Sequence, residues 1–222
     1  MKKLLSLLCL SLFFTVNAQI EKTIGEFSTV KVYDLIEVKM IKSDVDKVII
    51  SGKNKNDVKV VNKNGKLKIK MNLEESFDGS NTSVTLYYTN VEVIDANEGA
   101  FIAVDNTIEQ FEIQLKTQEG GKIKADLNVT YAELRAVTGG EIEVTGTAKN
   151  QDISMYTGGI FKGENCKSKT SKVAIRAAGV AHINASEQLD IKIRAGGDVY
   201  IYGNPKRVDE SRVLGGRIKR MD

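Results

Sequence analysis

One tyrosine and two arginines recur at repeat-like intervals in this 222-residue chain: Tyr156, Arg176 and Arg194. If successive repeats stack, these side chains form one outward column, and a neighbouring column places His182 beside Tyr200. An aromatic ring can stack on a sugar, and guanidinium groups bind acidic oxygens through paired hydrogen bonds. We therefore predict that these five residues bind a sugar ring or an anionic glycan. The competing interpretation is an ordinary solvated face.

Two pairs of acidic residues suggest acid–base chemistry instead. Glu133 with Asp152, and Asp105 with Asp126, fall at matching positions of adjacent repeats, which would place their carboxylates ~5 Å apart, as in retaining glycosidases. However, a chain with 29 acidic residues and no tryptophan gives little support to a sugar-cleaving cleft. No serine or cysteine motif accompanies His182, the single histidine. We therefore predict a non-enzyme with no catalytic residue, metal ligand or cofactor, and keep a polysaccharide lyase or hydrolase as the alternative.

A repeat between Glu98 and Gly216 must position these side chains. A glycine-centred phrase returns every 18–21 residues. Its copies are Gly99-Ala100, Gly120-Gly121, Gly139-Gly140, Gly158-Gly159, Ala178-Gly179, Gly196-Gly197 and Gly215-Gly216. Five residues before each of the first six copies lies an apolar residue, namely Ile94, Leu115, Leu134, Ile153, Val173 and Ile191. Apolar residues alternate around each phrase, which is the pattern of β-strands.

A repeat of about twenty residues made of strands and glycine turns is typical of a parallel β-helix. We predict an all-β, single-stranded parallel β-helix of about 19–21 residues per coil, right-handed by the crossover rule. The glycine pairs would form corners that need positive φ and lie close to the next coil. Stacking also places Lys122 beside Glu141 and aligns Lys124, Glu143 and Lys162. We interpret these opposite charges as a surface ladder.

The N-terminal 18 residues have the pattern of a secretory signal peptide. Lys2 and Lys3 precede an apolar run from Leu4 to Val16. The small residue Ala18 then marks the predicted cleavage site, before Gln19. Removing this segment leaves 30 Lys+Arg against 29 Asp+Glu, a net charge of +1, which gives no electrostatic footprint for nucleic acid. We expect an exported protein in the periplasm, at the cell surface or secreted. The apolar run is too short for a transmembrane segment.

After cleavage one cysteine remains, Cys166, which excludes an internal disulfide. It falls eight residues after Gly158, in a column with Asn128, Thr147 and Ser186. We therefore predict a small corner residue rather than a reactive thiol, because the local sequence shows no basic neighbour that would activate it.

Residues 19–222 form a single predicted domain, because no linker divides them. Residues 91–222 carry the glycine-repeat coils, and the charged segment after Pro205 would close the last coil. Residues 19–90 lack the glycine phrase, but their alternating apolar residues predict six strands, and Asn64-Gly65 predicts an antiparallel hairpin. This part forms either irregular first coils or a β-sheet cap over the open end of the stack.

Three stretches carry a family resemblance: the string from Ile94 to Ala100, the recurring Gly-Gly-x-apolar phrase, and the ending from Gly196 to Pro205. They resemble the head GIN domain family of auto-transporter adhesins over nearly all of the chain after residue 18. The resemblance implies an exported β-helical protein of the bacterial cell envelope. The function we predict is a non-catalytic envelope or surface interaction module with a glycan or an envelope protein as partner. A purely structural spacer is a further alternative.

Overall fold

The computed structural model describes residues 19–75 and 77–221, so the predicted signal peptide at residues 1–18 lies outside the described residues. Three short 3-10 helices cover Lys55–Asp57, Leu73–Glu75 and Gly79–Asn81. The N-terminal strands are β1 (Ile20–Thr23), β2 (Thr29–Val32), β3 (Glu37–Lys42), β4 (Lys47–Gly52), β5 (Val58–Lys63), β6 (Lys66–Met71) and β7 (Thr82–Tyr88). The later strands are β8 (Val93–Ala96), β9 (Phe101–Thr117), β10 (Lys122–Val137), β11 (Glu141–Tyr156), β12 (Gly159–Arg176), β13 (Gly179–Arg194), β14 (Asp198–Tyr202), β15 (Arg207–Val213) and β16 (Arg217–Arg220).

The five long strands β9 to β13 stack in parallel, one per coil, and form a β-solenoid of about 7 turns, as the repeat predicts. β13 pairs with β14 through its first half and with β15 through its second half. Each long strand therefore crosses two successive segments of its coil. β16 pairs with β14 and completes the last coil. No helix in the described part of the chain is long and apolar enough to cross a membrane.

The predicted apolar column is continuous through the interior. Parallel register aligns Ile94, Leu115, Leu134, Ile153, Val173 and Ile191 on successive strands. Each of these side chains is at most 2% exposed. Burying an aliphatic side chain of this size stabilises the fold by roughly 1.5–3 kcal/mol, so the column supplies much of the energy that joins one coil to the next.

The glycine corners have both features that the sequence predicts. Gly120 has a φ of +75°, the left-handed region in which glycine meets no steric penalty. Gly121 is close to the backbone of the preceding coil, where an added Cβ would lie 2.2 Å from the carbonyl oxygen of Ala96. The N–H of Gly121 donates to the carbonyl of Gln118, which closes a tight turn. The residue before the phrase, Glu119, also has positive φ, which the sequence did not reveal.

All six predicted N-terminal strands are present, as β2 to β7. β2 and β3 form a true coil, parallel to β8 and β9. β6 and β7 lie parallel on the other side of that coil, so the order in the stack differs from the order in the chain. β5, β4 and β1 then cover this end in antiparallel pairing, with the predicted turn at Asn64-Gly65 between β5 and β6. β1 was not predicted.

Candidate binding face

The second halves of the long strands present one outward face, which we call the arginine face. It comprises the outward side chains of residues 131–137, 150–156, 170–176, 188–194 and 207–213, which are aligned in parallel register. Strand alternation makes every second residue point outward, while the others, such as Ile153 and Val173, are buried. The face is therefore an array with one row per coil and one column per outward position.

The predicted tyrosine–arginine column lies on this face. Tyr156 at the end of β11 is aligned with Arg176 of β12, and Arg176 is aligned with Arg194 of β13. The guanidinium carbon of Arg176 is 5.4 Å from the centre of the Tyr156 ring, which is the distance of a cation–π contact. The column is thus a contiguous arrangement rather than a coincidence of spacing.

A third arginine belongs to the same group, and sequence reasoning missed it. The guanidinium carbon of Arg135 in β10 lies 5.0 Å from the centre of the Tyr156 ring. Tyr156 is therefore in contact with two guanidinium groups from the coils on either side. Arg135 is aligned with Ser154, so it reaches Tyr156 diagonally. Diagonal neighbours in a sheet are within reach of long side chains, and applying that rule to the sequence would have identified it.

The arginines of this group have no acidic partner. Among residues 19–75 and 77–221, no carboxylate lies within ion-pair distance of Arg135, Arg176 or Arg194. All three are exposed, and the column of Arg135 continues through the neutral Ser154 and Ala174 to Lys192. Guanidinium groups on neighbouring strands, such as those of Arg176 and Arg194, repel one another, so an anion bound between them would be stabilised.

His182 and Tyr200 form the predicted pair, but on another part of the coil. Their rings are stacked with centres 4.8 Å apart, on strands β13 and β14. The hydroxyl of Tyr202 lies 3.1 Å from Nδ1 of His182, a contact that the sequence did not indicate. This pair follows the glycine corner, whereas Arg176 precedes it, and no hydrogen bond or ring contact of the described residues joins the two groups. The structure therefore does not bring the five predicted residues together as one contact network.

The predicted charge ladder is present on the first halves of the strands. Nζ of Lys122 is 3.5 Å from Glu141, Nζ of Lys124 is 2.7 Å from Glu143, and Lys162 forms an ion pair with Glu141. Lys162 is aligned with Glu143 but bonds Glu141 diagonally. His182 continues the Lys162 column, so the ladder ends against the stacked rings.

Of the two predicted alignments of carboxylates, one is confirmed and the other is wrong. Glu133 is aligned with Asp152 on the arginine face. Asp105, however, is not opposite Asp126, because extra residues in β9 shift the register and align Asp126 with Thr107. Asp126 accepts hydrogen bonds from the hydroxyls of Thr107 and Thr145, at 2.6 and 2.5 Å. Asp105 instead forms an ion pair with Lys39 at 3.1 Å.

Cys166 is a core residue, so its predicted place at a corner is wrong. A register shift in β12 aligns it with Gly146 rather than with Thr147, and its side chain is fully buried. Burial raises the pKa of the Cys166 thiol to about 12 despite a hydrogen bond from Gln151. The thiolate is therefore essentially absent at neutral pH, and the thiol is unreactive.

The fold defines a class, the parallel β-solenoids with a stacked outward face. Residues 26–205 match the family model described as "Putative auto-transporter adhesin, head GIN domain", and the chain belongs to this family. The resemblance seen in the glycine phrases is thereby confirmed. A comparison with curated protein sequences finds no match.

Solved structures share the fold at low sequence identity. A putative adhesin from Bacteroides fragilis superposes with a TM-score of 0.83 at 16% identity, over 92% of this chain and 96% of that chain. A putative lipid binding protein from Parabacteroides distasonis gives a TM-score of 0.69 at 15% identity, over the same shares. A putative adhesin from Parabacteroides merdae gives 0.64 at 13% identity, also over 92% and 96%. None of these descriptions names an enzyme.

Proposed function

We propose that this protein is an exported, non-catalytic interaction module of the cell envelope or surface, and that its arginine face binds acidic groups of a glycan. In this proposal residues 1–18 are a signal peptide and residues 19–222 form one domain. Membership of an adhesin family supports a surface role. The ligand class comes from the side chains of this chain alone.

The observation that carries the proposal is the arginine cluster around Tyr156, which has no acidic partner within the described part of the chain. The guanidinium carbons of Arg135 and Arg176 lie 5.0 and 5.4 Å from the centre of the Tyr156 ring, and Arg194 follows one strand further on. Adjacent strands lie ~4.8 Å apart, so the cluster offers several cationic forks within reach of one sugar unit and its acidic substituent. The tyrosine adds an apolar ring surface for stacking.

Binding of the purified protein to an array of acidic and neutral glycans tests the proposal. The Arg176→Ala/Arg194→Ala variant should bind acidic glycans roughly 100-fold more weakly or worse, because it loses at least two charged hydrogen bonds of ~1.5–3 kcal/mol each. Binding of the unchanged protein should weaken with added salt. The matched control is Lys59→Ala/Lys63→Ala, which removes two exposed cations of β5 at the other end of the stack.

An acidic group could also belong to a lipid headgroup, since one structural relative is described as a lipid binding protein. Vesicles of phosphatidylcholine with and without an anionic lipid separate that source from a glycan. Binding to anionic vesicles with no binding to acidic glycans would replace the glycan by a lipid phosphate. Binding that survives in the arginine variant would exclude Arg176 and Arg194 as the binding residues.

The alternative of a polysaccharide-active enzyme has one specific observation in its favour, the alignment of Glu133 with Asp152. An enzyme of this kind would release reducing ends or unsaturated sugars from a polysaccharide. That release should disappear in Glu133→Gln. A structural spacer, in contrast, would show neither product release nor binding to any glycan or vesicle.

A further inference from the structure

An exposed aromatic pair lies at the start of the arginine face. Phe111 of β9 is 67% exposed and Tyr131 of β10 is 46% exposed. Their ring centres are 5.4 Å apart with an angle of 55° between the planes. Both rings expose apolar surface to water, and an apolar ring face of a ligand would cover that surface. The tyrosine hydroxyl can in addition form a hydrogen bond.

A groove begins beside this pair and continues along the stack. The first part has a volume of about 570 Å³ and is lined by Tyr131, Glu133, Asn150, Asp152, Thr170 and Lys172, among others. The second part, of about 480 Å³, shares Asp152 and Lys172 with the first and extends to Asp209 of β15. The groove therefore crosses successive coils. Their spacing of ~4.8 Å is comparable with the length of one sugar unit in an extended chain.

The polar groups of the groove suit hydroxyl groups. The carboxylates of Glu133 and Asp152 and the ammonium group of Lys172 have no hydrogen-bond or ion-pair partner among the residues that the structure describes. Carboxylates only accept hydrogen bonds and ammonium groups only donate them, so together they match a hydroxyl, which does both. The Thr170 hydroxyl donates to the side-chain oxygen of Asn150 at 2.6 Å, which fixes the amide beside them.

The charge of the groove separates it from the arginine cluster. Glu133, Asp152, Asp190 and Asp209 occupy the column that also contains Lys172. This column is predominantly negative and would repel the acidic ligand proposed for Arg176 and Arg194. The two sites therefore differ in ligand class.

We infer that this groove binds a neutral, linear saccharide chain. One sugar ring stacks on Tyr131 with Phe111 at its edge, and the hydroxyls of the following units bond to Glu133, Asp152 and Lys172. The inference is independent of the acidic-glycan site, because it depends on different side chains and on the opposite sign of charge.

Isothermal titration of the purified protein with neutral hexasaccharides of β-1,4-glucan, β-1,3-glucan, β-1,4-xylan and α-mannan tests this inference. At least one should bind. Tyr131→Ala should weaken its binding about tenfold, or ~1.4 kcal/mol. Glu133→Gln, which keeps the shape of the side chain, should also weaken binding because an amide donates where a carboxylate accepted. Circular dichroism checks that both variants are folded.

Matched controls decide where the saccharide binds. Phe77→Ala removes another exposed aromatic ring, and Glu26→Gln neutralises another exposed carboxylate, so neither should affect affinity. Arg176→Ala/Arg194→Ala should retain the neutral saccharide while losing acidic glycans, which separates failure of this inference from failure of the proposed function. The inference is overturned if no hexasaccharide binds, if Tyr131→Ala binds as tightly as the unchanged protein, or if only the arginine variant loses binding.

Discussion

Glu141 joins its own coil to the two neighbouring coils through ion pairs. Its carboxylate lies between Lys122 of β10 and Lys162 of β12 and is partly buried, with 17% of its side chain exposed. Burial alone would raise the pKa of Glu141. The hydrogen bond from Lys162 and the positive charges of Lys162 and Lys122 outweigh burial and hold that pKa below its ordinary value of 4.5.

A lowered pKa in the folded state makes the contribution of Glu141 depend on pH. The ionised carboxylate stabilises the fold fully above about pH 4.5, and this contribution is lost as the pH falls through the lowered folded pKa. Glu141→Gln should therefore reduce the free energy of unfolding at neutral pH. The expected loss is roughly 0.5–1 kcal/mol, because both lysines are more than one third exposed and solvent screens the pair.

Urea unfolding of the protein and of Glu141→Gln at about pH 7 and about pH 3 measures this effect. The difference between the two should shrink at the acidic pH. Glu109→Gln changes an exposed carboxylate without an ion pair in the described part of the chain and serves as the control. A difference of equal size at both pH values would show that the charge of Glu141 does not stabilise the stack.

At the scale of the element, the two glycines of a corner have different physical roles. The adjacent residues Gly158 and Gly159 show the difference. Gly158 has a φ of +78°, and an added Cβ would meet no atom within 4 Å. Gly159 does not have positive φ, but its Cβ would lie 2.3 Å from the carbonyl oxygen of Ala136. The equivalent of Gly158 in the next coil is Ala178, which adopts a φ of +63°. The chain thus already contains alanine at the first corner position.

We expect Gly158→Ala to cost only ~1 kcal/mol, since the strain is that of a left-handed alanine. Gly159→Ala should cost more, roughly 3 kcal/mol or above, because the clash is with backbone that belongs to the neighbouring coil and cannot move alone. Unfolding in guanidinium chloride, compared with the unchanged protein, measures both. Equal losses for the two variants would contradict the division of roles.

Some features of these elements can be predicted from the sequence and others cannot. The corners and the apolar column follow from residue type and period, because a strand that buries one face must alternate and a stacked corner excludes side chains. The register shifts do not follow. The repeat from Gly158 to Ala178 contains one residue more than the repeat before it, but only the structure places the extra residue between Lys162 and Asn165. That one residue turns Cys166 inward.

The candidate site shows the same limit. Direct neighbours such as Tyr156 and Arg176 could be predicted, since a constant repeat aligns them. The diagonal rule identifies Arg135 as a candidate neighbour of Tyr156, but the contact itself depends on which diagonal the long side chain takes, and only the structure shows that. The groove beside Tyr131 depends on the shape of the assembled face, which no pattern of residues along one strand specifies.

At the scale of the whole molecule, the two ends of the stack are closed by different means. Antiparallel strands cover the N-terminal end. At the other end, Glu210 and Arg212 of β15 are aligned with the buried Ile191 and Ile193 of β13. Two charged residues thus occupy inward positions that earlier coils give to aliphatic side chains, and both are exposed. Their charged groups are 3.9 Å apart.

Inward-pointing charges on a terminal strand discourage another strand from stacking on it, because the pair would lose its hydration. Glu210→Ile/Arg212→Ile should therefore turn the end of the solenoid into an apolar surface with free backbone hydrogen-bonding groups. We expect this variant to self-associate, with a larger apparent mass that increases with protein concentration in sedimentation velocity. Asp209→Ile/Ser211→Ile adds the same apolar area to the same strand, but on the outward side, and should remain closer to the unchanged protein. If both variants associate equally, general surface hydrophobicity explains the effect. If neither associates, the charged residues of β15 are not what prevents end-to-end growth of the stack.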